Sequence, residues 1–168
     1  MSMINIGGSL QSKSELTSIQ EGDVQPNAVD LRLGKVFEIN DSKVFIIDED
    51  KKVHRGSKEI QPDEDGYYIL DKGSYEVVME NKVTVAEGEA GFVITRSTLN
   101  RNGVFLTSGL YDSGYSGVMA GVMHVNVGPM YIAKGTRIGQ YLCFKAESLS
   151  VYDGDYGTGK EHDEKYKS

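Results

Sequence analysis

Short stretches of alternating apolar and polar residues, separated by glycine-rich turns, run through most of this chain, and helical periodicity is scarce. Such alternation is typical of half-buried strands, because successive side chains point to opposite faces of a sheet. Residues 14–21 are an exception and predict one short helical turn, with Ser14 or Thr17 as its cap. The predicted strands cover residues 29–33, 35–39, 44–47, 67–70, 74–79, 82–85, 90–95, 104–107, 118–127, 130–133 and 139–144. Many short strands at close spacing predict an all-β protein, either a sandwich, a jelly roll or a distorted barrel.

The size and charge of the chain narrow its range of functions. Its 168 residues suffice for one domain with a substantial core. A net charge of −7, from 18 basic and 25 acidic side chains, argues against nucleic acid or an anionic membrane as a partner. We recognise no membrane-spanning apolar run and no signal peptide, so a cytoplasmic location is expected. Cys143 lies in an apolar run and is predicted to be a buried, inert thiol.

One segment combines cations and hydroxyls in a way that suits phosphate. Arg96 and Arg101 enclose Ser97 and Thr98 within six residues. Two guanidiniums and two hydroxyls can bind several phosphate oxygens, and arginine can do so in bidentate geometry. Shortly downstream, Asp112 lies in a glycine-rich turn, where a carboxylate can orient or deprotonate a water molecule. Taken alone, the pair is equally compatible with a solvated strand end followed by a turn.

The composition changes near residue 150. We therefore predict a β domain over residues 1–150 and a glycine-rich C-terminal arm over residues 151–168. One interpretation of this arm is a disordered end. The other is a mobile arm that closes on a ligand, with Tyr156 stacking on a base and Lys160 contacting phosphate.

Four segments, in this order along the chain, resemble motifs of the dUTPase and dCTP deaminase superfamily. Each motif is weak alone, but together they span most of residues 24–156 and identify the chain as a divergent member, of a kind that phages carry. The segments are Gln-Pro-Asn-Ala-Val-Asp-Leu-Arg-Leu-Gly at 25–34, Arg-Ser-Thr-Leu-Asn-Arg at 96–101, Tyr-Asp-Ser-Gly-Tyr-Ser-Gly at 111–117 and Gly-Thr-Arg-Ile-Gly-Gln at 135–140.

The resemblance implies a distorted β jelly roll, a dUTPase-like β-clip barrel, that assembles as a homotrimer with active sites between subunits. By similarity, Arg96, Ser97 and Gln140 would hold a triphosphate that Mg²⁺ partly neutralises, and Arg101 would add a second cation. Asp112 would orient the water that attacks the α-phosphate and releases pyrophosphate, a reaction that depends on positioning and charge neutralisation. A viral member would act in the host cytoplasm.

Asp30 matches the carboxylate of the first motif. We expect it to have a structural role or to belong to the shell of a metal ion, rather than to act in catalysis.

Two departures from the family pattern bear on the substrate. Deaminases of the family carry a glutamate on the strand after the third motif, but here residues 118–127 contain no carboxylate, Val122 stands near the expected position and His124 is the titratable group. This favours hydrolysis of dUTP to dUMP over deamination of dCTP. The hairpin that encloses the pyrimidine in the family is also shortened, with Gly109 near its tip, so dUTP, dCTP or a modified pyrimidine remain open. Further alternatives are a dCTP deaminase with another proton shuttle, a non-catalytic nucleotide-binding or regulatory trimer, and a purely structural β-sandwich.

Overall fold

The chain folds into a nearly closed barrel, seen in a computed structural model that describes residues 3–4, 12–40 and 42–167. Strands account for 47% of the structure and helices for 7%, which confirms the all-β prediction. The strands are β1 Met3–Ile4, β2 Glu15–Leu16, β3 Val29–Ile39, β4 Ile46–Ile47, β5 Lys52–Val53, β6 Ser57–Ile60, β7 Tyr67–Leu70, β8 Gly73–Thr84, β9 Glu89–Thr95, β10 Val104–Thr107, β11 Ser116–Val125, β12 Met130–Ala133 and β13 Arg137–Lys145. One short helix, α1, covers Ser97–Arg101, and a 3₁₀ helix covers Glu161–Tyr166.

The long strands form the frame of the barrel. The order across the main sheet is β1-β13-β3-β8-β11-β10, with β2 and β6 added beside β8 and β3, and β9 beside β13. The pairs β7–β12 and β4–β5 form two separate two-stranded sheets. Buried alternate side chains of the long strands meet in one core, which includes Leu31, Val77, Met119 and Ile138.

Strand β3 joins two segments that the sequence predicts as separate strands. Gly34 does not end the strand, although glycine often marks a break. A Cβ atom at Gly34 would lie 2.8 Å from the carbonyl oxygen of Val78 on β8, so the residue is needed for close approach of two backbones. The pairing register shifts between Leu33 and Lys35 at this point, which bends the strand without ending it.

The helical turn predicted over residues 14–21 is wrong. Glu15–Leu16 pairs with β8 as strand β2. The hydroxyl of Ser14, predicted as a helix cap, instead donates to the carboxylate of Glu89 and accepts a hydrogen bond from the amide of Ala86 at 2.9 Å. Tertiary partners for this hydroxyl and for the strand thus outweigh a weak local helical preference.

Candidate functional site

A completely buried carboxylate organises one end of the predicted phosphate site. Asp30 on β3 forms ion pairs of 3.3 Å with Nε of Arg96 and with Nη1 of Arg137. The amides of Gln140 and Gln25 donate hydrogen bonds to its two oxygens at 3.2 and 3.3 Å. The register of the sheet explains the arrangement, because Asp30 and Gln140 are paired residues of β3 and β13 and so share a face.

This group, which we call the arginine cluster, consists of Arg96, Arg137 and Gln140 around Asp30. The side chain of Asp30 is 0% exposed, whereas Arg96 and Arg137 are 29% and 35% exposed. The buried carboxylate therefore holds both guanidiniums in place, while part of each arginine side chain faces solvent. Two cations against one anion leave a local positive charge that suits an oxyanion ligand.

The structure brings together Arg96 and Gln140, both predicted from the sequence, and adds Arg137. The signal for Arg137 was present in the sequence, since it lies in the same six-residue motif as Gln140. Its contact with Asp30 depends on how β3 and β13 pair, which the motif alone does not reveal.

The helix α1 presents the remaining predicted phosphate ligands. Leu99 is buried beneath this single turn, so Ser97, Thr98 and Arg101 are left exposed at the surface. The amide of Arg96, just before the helix, donates to the carbonyl of Ile138 at 3.1 Å and fixes the helix to β13. The hydroxyls and Arg101 therefore lie on a segment that follows directly from the arginine cluster.

Asp112 lies elsewhere on the same chain. It is exposed in a turn after Tyr111, and Tyr111 pairs with Gly91 on β9. Gly91 in turn pairs with Cys143, which is three residues along β13 from Gln140, or roughly 10 Å. Asp112 lines a cavity of about 490 Å³ and does not join the arginine cluster within one chain.

A second cavity of about 470 Å³ lies between the β10–β11 hairpin and residues 151–167, which we call the C-terminal segment. We call this space the tyrosine cavity. Gly109 and Tyr156, both predicted to contact substrate, meet here, whereas Lys160 does not line it and lies 3.9 Å from Asp153. The cavity is lined by Glu76, Gly109, Leu110, Tyr111, Tyr115, Val118, Ala120, Gly121, Val122, Tyr152, Tyr156, His162, Asp163 and Tyr166.

The C-terminal segment packs on the barrel, so the interpretation of residues 151–167 as a disordered end is wrong. Lys165 forms an ion pair with Glu76 on β8 at 2.9 Å. The ring of Tyr166 meets that of Phe37 edge to face at 5.8 Å between centroids. The carboxylate of Asp163 accepts a hydrogen bond from a backbone amide of the same segment at 3.0 Å. These contacts make the segment one wall of the tyrosine cavity.

Burial shapes the ionisation of the groups in this wall. It lowers the pKa of His162, and the neighbouring side chains of Lys165 and His54 lower it further. Burial raises the pKa of Asp163. It also raises the pKa of Tyr111 well above its ordinary value, so this phenol stays neutral. The ring of His54 lies 4.8 Å from that of His162, measured between centroids.

The described residues contain no group of three or more His, Cys, Asp or Glu side chains that could hold a metal ion. The four side chains around Asp30 are donors and leave no second anionic ligand for a cation. Its contacts therefore favour the structural role over a place in a metal shell. Among the helices of the described residues, none is long and apolar enough to span a membrane.

Comparison with known proteins points to one family. A family profile described as dCTP deaminase-like matches residues 8–146. The chain is 32% identical over 151 residues to a deoxyuridine 5′-triphosphate nucleotidohydrolase of Methanocaldococcus jannaschii, covering 89% of this chain and 96% of that protein. It is 30% identical over 138 residues to a dUMP-forming dCTP deaminase of Persephonella marina, covering 79% and 77%.

Solved structures support the fold. The 2′-deoxycytidine 5′-triphosphate deaminase of Agrobacterium tumefaciens aligns with a TM-score of 0.62 at 17% identity. The alignment covers 82% of this chain and 45% of that one, so the aligned part of this chain spans less than half the length of that deaminase. A dUTPase variant of phage 80alpha aligns with a TM-score of 0.51 at 11% identity, covering 89% and 93%.

Proposed function

Because the chain belongs to the dCTP deaminase-like family, we propose that it hydrolyses a pyrimidine deoxynucleoside triphosphate, with dUTP as the first substrate. The products are dUMP and pyrophosphate. The observation that carries this proposal is the arginine cluster, in which a buried carboxylate holds two partly exposed guanidiniums beside an amide. The relative from Methanocaldococcus jannaschii, named as a dUTP nucleotidohydrolase, supports the same substrate.

In this proposal the triphosphate binds at the arginine cluster and at α1. Arg96 and Gln140 contact phosphate oxygens, and Arg137 adds a further positive charge. Ser97 and Thr98 donate hydroxyl hydrogen bonds, and Arg101 stabilises the charge that develops on the phosphates. All of these groups are held by β13 and the short helix, so little reorganisation is needed on binding.

Asp112 orients the attacking water in this proposal. As the water oxygen forms a bond to the α-phosphorus, a proton of the water passes to the Asp112 carboxylate. The bond from that phosphorus to the bridging oxygen breaks, and pyrophosphate leaves with the electron pair. Asp112 lines a cavity to which no residue of the arginine cluster of its own chain contributes, so in this proposal a second copy of the chain completes the site. We therefore propose a homotrimer with sites between subunits, as the family resemblance implies.

Magnesium enters with the nucleotide in this proposal. The described residues do not fit a resident metal site, whereas a triphosphate supplies oxygen ligands of the kind that Mg²⁺ prefers. When bound, the ion partly neutralises the phosphates. Contacts of Tyr156 with the base and of Lys160 with phosphate, the boundary at residue 150 and the cytoplasmic location all stay predictions.

Deamination of dCTP is the second candidate. It is favoured by the relative from Persephonella marina, named as a dUMP-forming dCTP deaminase, and by two carboxylates, Glu76 and Asp163, that line the tyrosine cavity. Either group has the acid–base chemistry that Val122 lacks.

A product assay tests both candidates. Wild-type protein and the Asp112→Asn variant are incubated with dUTP or dCTP and Mg²⁺, and the nucleotides are separated by chromatography. We expect dUTP to become dUMP in wild type, with turnover lost in Asp112→Asn and kept in the exposed-site control Asp71→Asn. Formation of dUTP or dUMP from dCTP would support the deaminase. No turnover of either nucleotide would refute both candidates and favour a nucleotide-binding trimer without catalysis.

A further inference from the structure

A carboxylate lies directly across the sheet from the position where the predicted catalytic glutamate is absent. In the antiparallel pairing of β11 with β8, Val122 is opposite Glu76. Paired residues of neighbouring strands point to the same face, and both side chains line the tyrosine cavity. Strand β11 thus lacks a carboxylate at Val122, but its neighbour β8 has one at the paired position and on the same face of the sheet.

Glu76 differs from the other ionisable groups of this cavity in how it is held. His162 and Asp163 lie on the C-terminal segment, whereas Glu76 lies on β8, the strand between β3 and β11 in the main sheet. Its side chain is 19% exposed. The walls around it are largely apolar or aromatic, so a carboxylate here favours a ligand that brings a hydrogen-bond donor.

The two oxygens of Glu76 have different surroundings. Oε2 accepts a hydrogen bond from Nζ of Lys165 at 3.0 Å. Oε1 is buried and accepts no hydrogen bond of ordinary geometry from the described residues, although the same Nζ lies 2.9 Å away and the phenol of Tyr166 interacts with this carboxylate. Oε1 therefore has capacity to accept a further hydrogen bond.

We propose that Glu76 is a specificity-determining residue whose carboxylate accepts an N–H from the Watson–Crick edge of a pyrimidine bound in the tyrosine cavity. This inference rests on the proposed function and names the edge that is recognised. Uracil offers its ring N3–H and cytosine offers its exocyclic amino group, so one acceptor serves both bases. A cavity of about 470 Å³ is within the ordinary range for small-molecule sites.

A ligand with the donor removed tests the proposal without turnover. The α,β-imido analogue of dUTP and its N3-methyl derivative are titrated into the full-length protein by calorimetry, with the α,β-imido analogue of dCTP in parallel. In wild type we expect N3-methylation to weaken binding on the order of 10- to 100-fold, because a hydrogen bond to a charged acceptor is lost. In Glu76→Val, N3-methylation should weaken binding by no more than a few-fold. The dCTP analogue should bind this variant as weakly as the unmethylated dUTP analogue does.

Two variants separate base recognition from other roles of Glu76. The double variant Glu76→Val with Val122→Glu moves the carboxylate across the strand pair, and it should restore the penalty for methylation. Lys165→Met breaks the ion pair to the C-terminal segment but keeps the carboxylate, so the penalty should remain. The exposed control Glu38→Val, on the adjacent strand β3, should also keep it.

Three results would overturn the inference. If methylation weakens binding equally in wild type and Glu76→Val, the carboxylate does not contact the base, while the proposed hydrolysis can still stand. If Lys165→Met removes the penalty as fully as Glu76→Val does, Glu76 acts only by holding the C-terminal segment. If wild type binds none of the analogues, both this inference and the proposed function fail.

Discussion

Replacing Asp30 with asparagine would remove the negative charge at the centre of the arginine cluster while preserving the shape of the side chain. Arg96 and Arg137 would lose their shared counter-ion. The new NH₂ group of the asparagine would face N–H donors at a position where a carboxylate oxygen now accepts from them. Gln140 could still donate to the remaining carbonyl oxygen of the asparagine. The variant therefore tests the charge of Asp30 rather than its size.

The expected loss of stability follows from burial. Removing one partner of a fully buried ion pair costs about 3–5 kcal/mol. Asp30 is 0% exposed, but its arginines are about one-third exposed and can be partly solvated, which places the cost near the lower end, at about 3 kcal/mol. For a chain of 168 residues this corresponds to a fall in Tm of about 6–12 °C.

Thermal unfolding followed by circular dichroism, with and without pyrophosphate, measures the effect. Pyrophosphate should stabilise Asp30→Asn more than wild type, because the anion replaces the missing negative charge between the guanidiniums. Asp23→Asn is the matched control, since Asp23 is also 0% exposed but pairs with Arg32 at 2.6 Å, and its interaction with Arg137 of the cluster is the smallest of those on its carboxylate. It should lose stability with a smaller added response to pyrophosphate than Asp30→Asn.

Two results would refute this reasoning. A loss below about 1 kcal/mol, the value of an exposed ion pair, would mean that Asp30 does not anchor the two arginines electrostatically. An equal response of both variants to pyrophosphate would mean that the anion does not bind at the arginine cluster.

Three further predictions concern other parts of the molecule. Burial alone would raise the pKa of Glu89, but hydrogen bonds hold this pKa below the ordinary 4.5. The ionised carboxylate therefore stabilises the fold above that pH, and this stabilisation is lost as the pH falls through the lowered pKa. Glu89→Gln should flatten the acid dependence of the free energy of unfolding, measured by urea titrations at stepped pH. Gly121→Ala places a Cβ 2.2 Å from the carbonyl oxygen of Thr107 and should cost about 1–3 kcal/mol in thermal unfolding, whereas Gly109→Ala, with no atom within 4 Å, should be nearly neutral. Because the pKa of His162 is lowered in the folded protein, its protonation below the ordinary pKa of 6.5 opposes packing of the C-terminal segment. Limited proteolysis of this segment should therefore become faster as the pH falls below 6.5 in wild type, but not in His162→Phe.

Much of the barrel could be predicted because its strands carry their pattern locally. The alternation of residues 118–127 and 139–144 corresponds closely to β11 and β13. Predictions failed where a residue contacts a part of the chain that is distant in sequence. Gly34 resembles a break but fits against Val78, and Ser14 resembles a helix cap but binds Glu89. Local patterns cannot report such contacts.

In the candidate site too, some residues could be found from local motifs, whereas others depend on contacts between distant parts of the chain. Residue types that suit phosphate pointed to Arg96, and the family resemblance pointed to Gln140; the structure places both beside Asp30. Arg137 lies within one of these motifs, but its contact with Asp30 depends on strand pairing. Glu76 lies in no motif, and its relation to Val122 exists only through the register of β8 against β11.

The position of Tyr152–Tyr166 along one wall of the tyrosine cavity has a consequence for how the protein is made. These residues leave the ribosome after every strand of the barrel, so the barrel can begin to fold before its cavity has all its walls. A chain cut just before Tyr152 would keep the strands β3, β8, β11 and β13 and yet would lose the residues that face Glu76. Such a fragment would resemble the intact protein by circular dichroism while offering a nucleotide only an open groove, so a folded barrel is no guarantee of a finished site.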